Sequence, residues 1–167
     1  MQSLYVLPKC GQYQAIVDGK KTQFLEIAHI PKRERKPFVM QDIIDKYAKY
    51  KVGEVIVISR HEYDASCKLN ECHVKARITN IKVKKLQDIS DTDCFSEGIY
   101  PVFETWEHCF GTMTFVAGYT FGAGDIVYED ANKAFTMLMN KLFGLGTWKA
   151  NPYVWIYDFE LIKQQII

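Results

Sequence analysis

Apolar and polar positions change their period several times along the chain, and each change predicts an element. From position 76 to 85 the pattern alternates. Ala76, Ile78, Asn80, Lys82 and Lys84 fall on one side of an extended chain, with Arg77, Thr79, Ile81, Val83 and Lys85 on the other, and the β-branched content suits a strand. Leu86, Gln87, Asp88 and Ile89 are too few for another strand. Ser90 or Asp91 then caps a short helix that carries Asp93 in its first turn and ends at Glu97, with Gly98 as its stop. This strand and helix deliver a carboxylate, Glu97, to the mouth of a sheet.

The remaining pattern surrounds that unit. Residues 4–7 predict a first strand stopped by Pro8, residues 12–17 a short helix closed by Asp18 and Gly19, and residues 22–27 a second strand. Ile43, Ile44, Tyr47 and Ala48 recur at helical spacing within 41–49 and predict a covering helix. Gly53 turns the chain into the unbroken apolar run 55–58, a central strand buried on both faces. Residues 62–71 are polar and read as a connection. Phe103, Trp106 and Phe110 stand at i, i+3 and i+7, which predicts an amphipathic helix over 100–110 with its aromatic stripe in the core. Glycines and aromatics dominate 112–125 and suggest an inserted hairpin or ordered loop. Asp130 caps a helix through Phe143, and alternation over 153–162 predicts the closing strand.

Composition narrows the class. A chain of 167 residues with 48% hydrophobic and 25% charged positions fits one globular domain over 1–167 and neither disorder nor a coiled coil. Its apolar runs are far below the ~20 residues a membrane crossing needs. The N-terminus lacks a basic start and a sustained apolar stretch, so a cytoplasmic location is expected. Five cysteines at 10, 67, 72, 94 and 109 fit reduced thiols better than a disulfide framework. Cys67, Cys72 and His73 lack a second ligand pair, so neither a metal nor another cofactor is expected. The net charge of +1 leaves any nucleic-acid case to local clusters: Lys32, Arg33, Arg35 and Lys36 in one loop, and Lys82, Lys84 and Lys85 near a strand end. Solvated loops carry such runs too.

Four motifs in order carry a resemblance. They are Gly19-Lys20-Lys21-Thr22-Gln23, Tyr50-Lys51-Val52-Gly53-Glu54, the strand followed by Leu86-Gln87-Asp88-Ile89 and an acidic helix ending in Glu97-Gly98, and the Trp148, Asn151, Pro152, Val154, Trp155 ending. Together they resemble the ASCH superfamily, and the last resembles its phage-type members. The resemblance implies a mixed α+β, mainly β fold, a PUA-like β-barrel covered by several helices. For members that hydrolyse the amide of acylated nucleosides it further implies a lysine, a threonine nucleophile three residues later and a glutamate. Lys21 and Glu97 match the first and third. Phe24 occupies the nucleophile position and has no oxygen to attack an acyl carbon. Thr22 is a substitute only if its hydroxyl turns toward Lys21, which strand alternation opposes. An amidohydrolase acting on acylated cytidine or a similar amide is therefore doubtful.

The competing expectation is a nucleic-acid-associated binding module that holds single-stranded RNA or a modified nucleoside in a cleft near Lys21 and Glu97. Phe24 or Trp148 would stack on a base, and Lys20, Lys21, Arg33, Arg35, Arg77 and Lys84 would neutralise phosphates. A third possibility is a protein-interaction module that docks through the 112–125 segment, with Phe115, Tyr119 and Phe121 exposed.

Overall fold

The computed structural model describes residues 3–6, 12–31, 40–60, 73–121 and 126–162. In chain order the elements are β1 (Ser3–Val6), α1 (Gln12–Val17), β2 (Gln23–Ile27), α2 (Met40–Tyr47), β3 (Val55–Arg60) and β4 (His73–Lys85). A 3-10 turn (Leu86–Asp88), α3 (Asp91–Ser96), β5 (Tyr100–His108), β6 (Gly111–Thr120), α4 (Ala131–Phe143), α5 (Thr147–Ala150) and β7 (Tyr153–Leu161) follow. The fold is mixed α+β and mainly β, built on a strongly curled half-barrel sheet. That sheet has the order β1-β3-β4-β7-β2. β1 runs parallel to β3, and the other neighbours are antiparallel.

The organising strand of the sequence, β4, pairs along most of its length with the closing strand, β7. Its side chains do not keep the single alternation that the sequence pattern predicts. Ala76 and Ile78 are buried, and so are Ile81 and Val83, which strict alternation places on the opposite face. A register shift between Ile78 and Asn80 against β7 accounts for this. The extra residue, Thr79, lets the strand change parity, so four apolar side chains share one core.

Two cores lie on the two faces of the sheet. On one face, Phe24, Tyr50, Tyr157 and Phe159 pack with Ile56, Ile58, Ile78 and Ile81 against Tyr13 and Ile16 of α1 and Ile43 of α2. Phe24 stacks on Tyr157 at 4.9 Å between ring centroids, and Tyr50 meets Tyr157 edge-on at 5.1 Å. On the other face, Leu25, Val154 and Ile156 pack against Ala134, Phe135, Leu138 and Met139 of α4. The amphipathic pattern of α4 is capped as predicted: Asp130 accepts from the Lys133 amide, and Gly144 follows the last turn.

The expected helix over 100–110 is wrong. β5 and β6 form a separate two-stranded antiparallel sheet, from Tyr100 opposite Thr120 to His108 opposite Gly111. The spacing of Phe103, Trp106 and Phe110 imitates a helical stripe. Val102, Phe103, Thr105 and Trp106 instead follow their strand preference, and Cys109 and Phe110 turn the chain back. Nor does the stripe enter the core, since Phe103, Trp106 and Phe110 are all exposed. The segment expected as an insertion at 112–125 thus supplies the second strand of a hairpin begun at Tyr100, and residues 122–125 lie outside the described residues.

Candidate functional site

Lys21 stands where α1 gives way to β2. Gly19 takes the left-handed region at φ +71°, and the amides of Lys20 and Lys21 both return to the Ala15 carbonyl. This turn faces the Lys21 side chain inward, while Thr22 faces solvent. The Thr22 amide in turn donates to the Ser96 carbonyl at 2.9 Å and ties the start of β2 to the end of α3.

Glu97 reaches the same place from α3. A capping box fixes the start of that helix, with the Ser90 hydroxyl accepting from the Asp93 amide and the Asp93 carboxylate accepting from the Ser90 amide. Gly98 then leaves the helix at φ +99°. A Cβ at Gly98 would sit 3.3 Å from Lys21 Cβ, so the glycine serves both the turn and the close approach of lysine.

The Lys21 ammonium donates to Glu97 Oε1 at 2.5 Å and to the Glu97 backbone carbonyl at 3.0 Å. Lys21 is 3% exposed and Glu97 1%. Burial pushes the Glu97 carboxyl up from 4.5 to about 7, against the opposing pull of the Lys21 charge and hydrogen bond and of the Leu25 amide. Desolvation outweighs even a lysine in direct contact. Glu97 Oε2 is buried and accepts no hydrogen bond of normal geometry among the described residues. A buried pair of this kind, with a proton that is labile near neutrality, can exchange protons with a ligand or accept from one.

A second acidic group lies one turn away. Asp93 accepts from Lys84 Nζ at 2.8 Å and from the Ser90 hydroxyl at 2.8 Å, with Lys82 Nζ at 4.0 Å. Gln23, buried at the start of β2, reaches the Asp93 carbonyl at 3.4 Å. Sequence reasoning placed Asp93 in a first turn but gave it no partners. Its signal was the Ser90-x-x-Asp93 spacing.

The other expected site residues scatter. Lys20 is exposed, with its ammonium 5.1 Å from the Tyr100 ring centroid. Arg77 is exposed on β4, in register with Glu160. Lys84 is engaged with Asp93. Arg33 and Arg35 lie outside the described residues, as do Cys67 and Cys72. The stacking role expected of Phe24 is not available: at 5% exposure its ring is buried in the core with Tyr50, Tyr157 and Phe159. Trp148 is half-buried and meets Phe135 edge-on at 6.1 Å, so it packs on α4 rather than standing free for a base. Among the described residues no three His, Cys, Asp or Glu side chains gather to hold a metal ion, and no helix is long and apolar enough to cross a membrane.

No family model and no curated protein matches the chain. Two solved structures align with it. One is an ASCH domain from Lactobacillus crispatus JV V101, at 10% identity and a TM-score of 0.49, covering 96% of this chain and 78% of that one. The other is a DUF984 protein from Enterococcus faecalis V583, at 11% identity and a TM-score of 0.49, covering 100% of this chain and 84% of that one. At this level of superposition neither bears on what the chain binds.

Proposed function

We propose that the chain, taken as one domain over 1–167, is a cytoplasmic, nucleic-acid-associated binding module for single-stranded RNA or a modified nucleoside, with Lys21 and Glu97 reading the base. The supporting observation is Glu97 Oε2, a buried acceptor with no donor of normal geometry among the described residues, on a carboxyl pushed up to about 7. An unfilled buried acceptor costs about 1–3 kcal/mol, so a ligand N–H placed there is favoured by a comparable amount. The exocyclic amine of cytosine is such a donor, and a carboxylate is its natural acceptor. Lys20 and Arg77 are exposed cations able to meet phosphates. Because the pair is covered, a ligand has to part the β2–α3 junction at the Thr22 to Ser96 hydrogen bond.

An amidohydrolase would draw on the same acid and base, but its nucleophile is missing. Phe24 has no hydroxyl and is buried, and Thr22 faces solvent while Lys21 faces inward. Only a water could attack.

The deciding experiment titrates a short labelled single-stranded RNA and acetylated cytidine at pH 6 and pH 8. Glu97 must be ionised to accept, so a carboxyl near 7 predicts about tenfold tighter binding at the higher pH. Each phosphate contact adds roughly −0.7 to the log–log salt slope, and Arg77→Gln is expected to remove one such increment. Failure of both probes to bind at either pH would end the proposal. Acetate release from acetylated cytidine that disappears in Glu97→Gln would replace it with the hydrolase.

A further inference from the structure

The β5–β6 hairpin plays no part in the reading above, and its two strands differ sharply. β5 carries Pro101, which has no N–H to offer a neighbour, together with Glu104 and Glu107. β6, Gly-Thr-Met-Thr-Phe-Val-Ala-Gly-Tyr-Thr, carries no charge and no proline. Natural sheets protect open edges with charges, prolines or a covering segment. β5 has the first two kinds of protection. β6 has the third only at its base, where the Tyr119 and Tyr128 amides and carbonyls pair at 2.8 and 2.7 Å.

Gly118 makes that cover possible, since a Cβ there would come within 2.4 Å of Val127 Cγ1 and 2.5 Å of the Tyr128 carbonyl oxygen. Among the described residues, this segment pairs with β6 at Tyr119 and lies against it at Gly118. Beyond it, the β6 edge over 111–117 has no strand neighbour other than β5 among the described residues. The side chains along this stretch are also open. Trp106, Met113 and Phe115 share one face, with Trp106 and Phe115 edge-to-face at 6.3 Å, and Phe103 and Val116 share the other. Trp106 is 69% exposed and Met113 67%.

We infer that the β6 edge pairs with the β6 edge of a second copy of this chain, joining two hairpins into a four-stranded antiparallel sheet around a two-fold axis. Charge decides the occupant. Residues 100–121 contain two glutamates and no lysine or arginine, which disfavours a nucleic acid on this arm. Pairing through β5 would crowd the glutamates of both copies together, whereas pairing through β6 leaves them on the outer strands. The open stretch is also self-complementary. A two-fold at Thr114 sets Met113 opposite Phe115 of the second copy, Thr112 opposite Val116 and Gly111 opposite Ala117, so that no charge meets a like charge and the sulfur of Met113 faces an aromatic ring. This assembly is independent of the Lys21–Glu97 site.

The test is sedimentation equilibrium of the full chain over a concentration series, together with hydrogen exchange. A reversible dimer is expected, with the amides of 111–117 gaining protection as concentration rises. Thr114→Lys places two ammonium groups opposite each other on the axis and is expected to weaken the dimer by at least about tenfold. Glu107→Lys on β5 leaves it unchanged. An unaltered thermal transition of the main sheet shows that Thr114→Lys still folds, and the concentration-dependent exchange of wild-type protein gives a readout that needs no variant. A wild type that stays monomeric at high concentration overturns the inference. So does a dimer that responds to Glu107→Lys and ignores Thr114→Lys, or one whose protection appears outside 111–117.

Discussion

α3 meets a lysine at each end of its short length, and the two carboxyls involved are shifted in opposite directions. At its start, Asp93 accepts from Lys84, whose side chain is 35% exposed, and from both the hydroxyl and the amide of Ser90. Burial works against its charge, but these donors together hold the carboxyl below its ordinary value. At its end, Glu97 touches Lys21 still more closely, yet its carboxyl rises to about 7 because burial is nearly complete and fewer donors surround it. Proximity to a lysine therefore does not settle the state of a carboxylate. The number of donors and the access to water do. The first pair is a helix cap with an added cation. The second has the unsettled protonation expected of a group that responds to a ligand.

Removing each lysine separates the two cases, and the larger effect belongs at the buried end. Lys21→Met should destabilise the protein by about 3–5 kcal/mol near pH 8, because it leaves a carboxylate in the interior with no cation. The loss should shrink toward pH 5, where Glu97 takes a proton and needs no counter-charge. In the wild type the same linkage has a definite sign. A carboxyl raised from 4.5 to about 7 contributes its full stability below 4.5 and loses it as pH climbs through 7. Glu97→Gln should remove that decline, which is at most about 1.4 kcal/mol per pH unit. Denaturant melts of the three proteins between pH 5 and 8 provide the check, and a Lys21→Met loss independent of pH would mean that Glu97 is not the titrating group.

A milder perturbation tests whether the geometry of the buried pair is held by the backbone. Gly98→Ala forces a side chain into the left-handed region and against Lys21 Cβ, at an expected cost of about 1–2 kcal/mol. It should also loosen the Lys21 to Glu97 contact while leaving Asp93 and Lys84 in place. Carboxyl chemical shifts followed through a pH titration would then show the Glu97 midpoint moving and the Asp93 midpoint unmoved. Equal movement of both would contradict the separation of the two ends.

The same contrast explains what the sequence made legible. α3, its cap and its glycine stop are local, so Ser90, Asp93 and Gly98 could be read directly, and they carried Glu97 to its place. The ordered motifs brought Lys21 to Glu97, but burial depends on what packs over a residue, which no local pattern states. Hence the pair was expected at a cleft and lies covered, and Phe24 was expected at a ligand and lies beside Tyr157. The bulge at Thr79 was not legible either, since alternation places Ile78 and Ile81 on opposite faces and only the packing brings them into one core. The hairpin departs from the expected helix because three aromatics fall at helical spacing, and a period seen only three times does not distinguish a helix from a strand exposed on both faces.

The smallest effect belongs to the solvent-edged pair. Lys84→Met removes one donor from Asp93 but leaves the Ser90 hydroxyl and amide, with Lys82 close by at 4.0 Å, and water screens what is lost. The expected cost is about 1 kcal/mol or less at neutral pH. Its signature lies on the acid side. Asp93, whose folded carboxyl lies below 3.8, contributes stability above that value and loses it as pH falls through its own depressed midpoint. Without Lys84 that midpoint moves up toward 3.8, so the stability that Asp93 loses on acidification should shrink and the Lys84→Met deficit should fade at low pH, while the decline between pH 5 and 8 keeps its slope. A Lys84→Met protein that changed the neutral slope and kept its deficit at low pH would reverse the roles assigned to the two carboxylates. Lys21→Met and Lys84→Met should therefore alter opposite ends of one pH–stability curve, and their double variant should show both changes added.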